Sequence, residues 1–196
     1  MIKGLLLSGG IDSIALAFWL RPQYAFTIDY GQKAAISEMK ASAEICKILN
    51  IVHVPIIVDC SLLGSGDLAN KSPTNHAPSS EWWPFRNQLL ITLAGMKSID
   101  FGINELILGS VKNDSFHLDG TLPFYTHINS LMELQEGNIK INVPGINLST
   151  IELVTLSKVP IEILGWAHSC HKSNTPCGNC NGCNKYIYTM QSLGFD

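Results

Sequence analysis

Residues 170–183 carry four cysteines, Cys170, Cys177, Cys180 and Cys183, spaced C-x6-C-x2-C-x2-C, with Gly178 and Gly182 placed to ease the tight turns between them. Four thiolates that close together match the tetrahedral sulfur cage of zinc. An iron–sulfur cluster is the rival reading, since C-x2-C-x2-C also occurs in ferredoxin-like sites. A closed four-sulfur zinc site has no open position for a substrate, so its expected role is to pin the C-terminal tail. His168 and His171 flank the cluster and are not needed to complete it.

A second group opens the chain. Leu5-Leu6-Leu7 breaks into Ser8-Gly9-Gly10, followed by Asp12 and Ser13. The plain reading is a strand-to-helix turn, with glycines for backbone freedom and Asp12 or Ser13 as the helix cap. The sharper reading is a phosphate cradle: amides aimed at the anion, no side chains in the way, and a helix N-terminus behind. Ser8 and Ser13 add hydroxyls, but no lysine follows, so this is not the common P-loop.

Two further clusters lie between these. Asp29-Tyr30-Gly31-Gln32 closes an apolar stretch and reads either as a site segment or as a turn with a solvated Asp29. In Trp82-Trp83-Pro84-Phe85-Arg86-Asn87, Pro84 ends a loop and Arg86 and Asn87 open the next helix. An arginine fork there can face phosphates or a carboxylate. Trp82 and Trp83 either wall a flat heterocycle or pack the loop down.

The elements that must position these groups alternate between strand and helix. Residues 2–8, 24–30, 52–58 and 105–110 read as buried strands. Helical spacing runs through 12–20, 33–50, 86–100 and 149–158, the third read as a buried helix and the last capped by Ser149 with Glu152 completing a capping box. The long polar stretch 59–81 reads as a binding loop or lid. Residues 111–147 give only a polar loop, a helix around Thr126–Gln135 and a Gly-Asn turn. The rhythm predicts an α/β, doubly wound, mainly parallel sheet of Rossmann type. Ser8, Asp29 and Gly109-Ser110 fall at strand ends, where such sheets bind ligands. The expected organisation is an α/β domain over 1–165 with a cysteine-rich segment, 166–196, packed on it.

The totals limit the function. The chain has 196 residues, is 46% hydrophobic and carries a formal net charge of −3. No apolar run approaches a membrane span, and the N-terminus leaves no room for a signal peptide, so a cytoplasmic location is expected. The acidic balance argues against nucleic acid as a partner. Cys46 and Cys60 sit in apolar surroundings and read as buried thiols. His53, His76, His117 and His127 suggest no constellation.

Ser8–Ser13 looks like the SGGxDS pyrophosphate loop of the ATP pyrophosphatase superfamily, whose members transfer AMP to a substrate oxygen. In their order along the chain, SGGxDS, DYGQ, a PGRN-like Pro84–Asn87 and the terminal cysteines resemble the 7-cyano-7-deazaguanine synthase (QueC) family. The resemblance implies an adenine-nucleotide α-hydrolase-like fold and a homodimer. It implies ATP with Mg2+ at Leu7, Ser8, Gly9, Gly10, Asp12, Ser13, Ile28, Asp29 and Gly109, and Zn2+ at the four cysteines. It assigns the deazaguanine to Tyr30, Gln32, Trp83, Arg86, Asn87 and Asp114, and the chemistry to Asp12, Arg86 and Asp114.

The implied reaction adenylates 7-carboxy-7-deazaguanine and converts it with ammonia, through the amide, to the nitrile. The chain also departs from the family pattern. Phe85 replaces the glycine of PGRN, and Thr150 a lysine. Lys33 alone remains of a basic pair, and "SFHLDGTLPFY" stands where a YSGYPDCR segment is usual. These departures fall mainly on substrate-holding segments. They suggest a divergent relative, as in DNA-modification or phage-defence gene sets, that ends at a deazaguanine amide with another amine, for instance on a protein. A tRNA-modifying enzyme and a non-catalytic zinc module are the remaining alternatives.

Overall fold

The computed structural model describes residues 1–195. Five parallel strands, β1 (Lys3–Leu6), β2 (Tyr24–Asp29), β3 (Val52–Ile57), β4 (Glu105–Ile107) and β5 (Lys140–Asn142), form one sheet in the order β3-β2-β1-β4-β5. The chain winds outward from β1 to β3, then crosses back to β4 on the other side of β1. The order therefore reverses between β1 and β4, as the doubly wound reading requires.

Alternation along each strand feeds two cores. Leu5, Ala25 and Ile107 pack on one face; Phe26, Leu106 and Leu108 pack on the other. The first face is covered by α1 (Ile11–Leu20), α2 (Ala35–Leu49), α6 (Thr150–Ser157), α7 (Ile161–Leu164) and α8 (Asn181–Ser192). The second is covered by α4 (Arg86–Ser98) and α5 (Leu122–Leu134), with the short α3 (Gly66–Ala69) beside them. Helix ends follow local chemistry: Arg21, Asn50 and Lys158 stop α1, α2 and α6 in left-handed geometry. Ser149 accepts from the Glu152 amide while the Glu152 carboxylate takes the Ser149 N–H, the reciprocal cap expected from sequence.

Four features differ from expectation. The 86–100 helix is amphipathic rather than buried: Ile91 and Ala94 face the sheet while Met96 is exposed. The helix expected over 126–135 starts earlier, at Leu122, with Pro123 in its first turn. The edge strand β5 has three residues, only Ile141 buried, which is too short for a periodicity. From the last cysteines onward, where the sequence suggests no element, the chain forms α8. Its sequence, NGCNKYIYTMQS, has weak helical propensity, and it is held by packing of Tyr186, Met190 and Leu193 on the first core. Among the described residues, no helix is long and apolar enough to cross a membrane.

Candidate active site

The β1–α1 junction is shaped by buried hydroxyls. Thr27 and Ser42 both donate to the Leu7 carbonyl, at 2.9 and 3.1 Å, fixing the chain before it turns. Thr27 spends its proton there, so His53 Nε2, at 2.9 Å, must donate to it; His53 is thereby a satisfied structural histidine. Gly9 follows at φ +75°, and an added Cβ would lie 2.9 Å from the Glu38 carbonyl, so only glycine passes between β1 and α2 here.

The cap expected from Asp12 or Ser13 is absent. α1 begins at Gly10 without any side-chain cap, which leaves its first-turn amides for another acceptor. Ser13 Oγ instead donates to Gly10 O at 2.9 Å and meets Ser8 Oγ at 3.2 Å. Asp12 turns aside to Lys185 Nζ at 2.7 Å, leaving its Oδ1 buried and without a partner.

A cavity of about 270 Å3 lies directly over this junction, at the carboxyl ends of β1, β2 and β4. Of the sequence-predicted residues, Leu7, Ser8, Gly10, Asp12, Ser13, Ile28, Tyr30, Arg86, Asn87, Gly109 and Asp114 line it together. Four do not reach it. Gly9 supports the loop from behind. Asp29 Oδ1 is spent on the Gly31 amide at 3.0 Å. Gln32 accepts from the Tyr30 amide and donates to Ile28 O and Glu38 Oε2, bracing the wall rather than forming it. Trp83 is buried against Gly64 and meets Tyr30 edge-on at 4.8 Å, so of the two readings of the tryptophans it packs the loop down.

Arg86 enters because Phe85, at φ +55°, turns the chain sharply into α4. Burial would lower its pKa, but Tyr30, Asp119, Asp114 and Glu38 surround the guanidinium and hold it charged. Asn87 is fastened by Asp119, donating Nδ2 to its carbonyl at 2.9 Å. Asp114 accepts from the Val111 amide at 3.0 Å and directs its other oxygen to Lys185 at 3.4 Å.

Several cavity residues escaped the sequence reading. Glu38, in the first turn of α2, is pushed up to about 7 by burial, against the opposing hydrogen bond from Gln32. Leu68 comes from the 59–81 loop, and Tyr125, hydrogen-bonded to Ser110, from α5. His171 comes from the cysteine tail, its pKa lowered by burial and then by the Arg86 charge. Lys185 does not line the cavity, but it pairs with Asp12 and Asp114, which do. Burial opposes its charge, yet Asp12 and Asp114 keep its pKa raised. Its position two residues past Cys183 was the available signal, but only if α8 had been foreseen. Lys33, by contrast, turns to the surface and donates to Asn70.

The four cysteines converge with all sulfurs within 4.8 Å of one another. Cys177 and Cys183 are 3.9 Å apart, and Cys170 and Cys180 4.0 Å. Amides of His171 and Cys183 both donate to Cys180 Sγ at 3.4 Å. Gly178 adopts φ +73° as a turn requires, but Gly182 serves a different end: it lets α8 pack against the Ser169 carbonyl. The tail also clasps the β1–α1 junction and the start of α2. His168 N–H donates to Gly9 O at 2.8 Å, and Asn174 accepts from Ser37 at the start of α2.

These features agree with the comparisons to known proteins. A family model described as "Queuosine biosynthesis protein QueC" matches residues 4–192. The chain is 31% identical to the 7-cyano-7-deazaguanine synthase of Chlorobium phaeobacteroides, over 97% of this chain and 92% of that one. It is 28% identical to the enzyme of the same name from Methanobrevibacter smithii, over 90% and 87% respectively. In fold it is similar to the U34-tRNA thiolase NcsA from Methanococcus maripaludis, solved with its [4Fe-4S] cluster, with a TM-score of 0.58 and 15% identity. That likeness covers 97% of this chain and 64% of the thiolase. With the family match running from β1 to the last residue of α8, the chain belongs to the QueC family.

Proposed function

We propose that this chain is an ATP-dependent ligase that activates 7-carboxy-7-deazaguanine as an acyl adenylate and converts it with ammonia, through the amide, to 7-cyano-7-deazaguanine. The observation that carries the reading is one cavity with an uncapped helix N-terminus on one wall and a charged Arg86 on the other.

The amides from Gly10 onward, with the Ser8 and Ser13 hydroxyls, accept the β- and γ-phosphates. Apolar Leu6, Phe26 and Ile28 receive the adenosine, and Tyr30, Leu68, Ser110 and Tyr125 are placed to hold the deazaguanine. A substrate carboxylate oxygen attacks the α-phosphorus and pyrophosphate leaves. Ammonia then attacks the acyl carbon, expelling AMP and giving the amide. In a second cycle the amide oxygen attacks the α-phosphorus of a second ATP and pyrophosphate leaves, and loss of AMP and the two amide protons then yields the nitrile. Arg86 stabilises the charge that develops during each transfer.

Asp12 Oδ1, buried and unpartnered, together with Asp114 suits a hard divalent cation, so these two residues would hold Mg2+. When bound, the cation neutralises phosphate charge. The cysteine site is assigned to Zn2+: a tetrahedron with zinc–sulfur bonds of about 2.3 Å spaces its sulfurs about 3.8 Å apart, close to the separations here. An iron–sulfur cube places each thiolate on a different iron and needs a wider cage.

A second reading is favoured by one observation. Phe85, Phe116 and Leu118 are exposed apolar residues on the segments that depart from the family pattern. A larger acceptor, such as an amine on a protein, would then replace ammonia and the reaction would stop at the amide. Incubation with ATP and 7-carboxy-7-deazaguanine, with and without ammonium, tests both. Nitrile by mass spectrometry supports the first reading, AMP release without nitrile supports the second, and no AMP contradicts both.

A further inference from the structure

The nucleotide loop has no lysine of its own, and the cavity wall above it carries two carboxylates, Asp12 and Asp114. A polyphosphate settles beside two carboxylates only where cations offset their charge. Besides Arg86, one such cation comes from the far end of the chain. Lys185 Nζ stands 2.7 Å from Asp12 and 3.4 Å from Asp114, bridging the first turn of α1 to the 112–116 turn. Lys185 lies in the first turns of α8, whose N-cap is Cys180 and whose first turn contains Cys183. Upstream of the cluster, His168 N–H holds the carbonyl of Gly9 within the loop itself. Both ends of the cysteine segment are therefore fastened to the residues that would receive the phosphates.

We propose that Lys185 is a positioning residue that sets Asp12 and Asp114 for nucleotide, and that through it the cysteine-bound metal and the nucleotide bind with positive coupling. The proposal rests on the nucleotide assignment above and goes beyond it, because it removes the separation between a structural metal and a catalytic loop. Without the metal, nothing covalent or coordinate fixes Cys170 to Cys183, and the start of α8 that presents Lys185 is left with the packing of Tyr186, Met190 and Leu193 on the core. Coupling of this kind is reciprocal: whatever the metal adds to nucleotide affinity, the nucleotide must add to metal affinity.

The test uses the zinc-loaded full chain, α,β-methylene-ATP with Mg2+ as the probe, and a chromogenic chelator that reports metal release. In the native chain the probe should slow release by about fivefold or more, the lower end of ordinary coupling. Lys185→Met should weaken probe binding by about tenfold, while Lys185→Arg, which keeps the charge, stays within about threefold. In Lys185→Met the probe should no longer slow release. A lysine that merely propped up the tail would speed release equally with and without the probe, and that result overturns the proposal. So does a native chain that binds the probe with unchanged release. A native chain that fails to bind the probe at all overturns the nucleotide assignment and this inference together. Should Lys185→Met not fold, the native-chain comparison decides alone.

Discussion

Two walls face each other across the cavity, and they are made differently. The β1–α1 wall is local: nine consecutive residues, 5–13, supply strand, turn and helix start, and buried hydroxyls lock the turn. The opposite wall is assembled from distant pieces: Arg86 from α4, Asp114 from an irregular turn and His171 from the tail, with Lys185 of the tail paired to Asp114. The first depends on backbone geometry, the second on charge pairs and on whatever holds the cysteines together. The local wall should therefore tolerate loss of the metal, and the assembled wall should not.

The largest expected effect separates them directly. Cys180→Ser removes a sulfur that accepts from two amides and caps α8. Zinc sites of this type contribute on the order of 10 kcal/mol of binding free energy at neutral pH, so the variant should lose its metal. The far-ultraviolet circular dichroism of the sheet should persist, residues 166–195 should become protease-sensitive, and nucleotide affinity should fall by about a hundredfold, within the ordinary range of coupling. Retained affinity in metal-free protein would show that the assembled wall is dispensable.

Arg86→Met tests the assembled wall's chemistry. The rate of AMP formation should drop by about 10² to 10³, the usual cost of removing one preorganised charge, with a smaller change in nucleotide affinity. A loss confined to affinity would move Arg86 from transition-state stabiliser to anchor. Gly9→Ala tests the local wall. With φ at +75° and the Glu38 carbonyl 2.9 Å from the new Cβ, it should cost about 1–3 kcal/mol. Thermal unfolding should report that loss, and nucleotide affinity should weaken with it.

The smallest effect concerns Glu38, which touches both walls. Its folded pKa, raised to about 7 by burial, exceeds the unfolded value of about 4.3. Its stabilising contribution is thus complete below about pH 4.3 and is lost as pH rises through about 7. Glu38→Gln should remove that slope and raise stability at pH 8 by on the order of 1 kcal/mol, read from urea midpoints at pH 5 and pH 8. An unchanged slope would place the titration elsewhere.

The same division explains what the sequence made legible. Ser8–Ser13, the Ser149–Glu152 cap and the strands through 24–30 and 52–58 are each written in contiguous residues, and each is where the pattern put it. Cys170 to Cys183 were legible for the same reason. Asp29 and Gln32 were placed in the right segment but with the wrong partners, because whether a polar side chain faces a cavity or its own turn is decided by two or three dihedrals. Lys185 was invisible: α8 has little helical signal, and its approach to Asp12 spans the whole chain. β5 escaped through brevity. Local patterns carried the β1–α1 wall, and long-range charge pairing carried the rest.

The central claim is that the amides at the β1–α1 junction hold a nucleotide's phosphates. Backbone amide spectra of the ¹⁵N-labelled, metal-loaded chain, titrated with α,β-methylene-ATP and Mg2+, test it most directly. The account predicts that the largest shifts fall on Gly9, Gly10, Ile11 and Asp12. Saturable binding with those four resonances unmoved, or no binding at all, would contradict it.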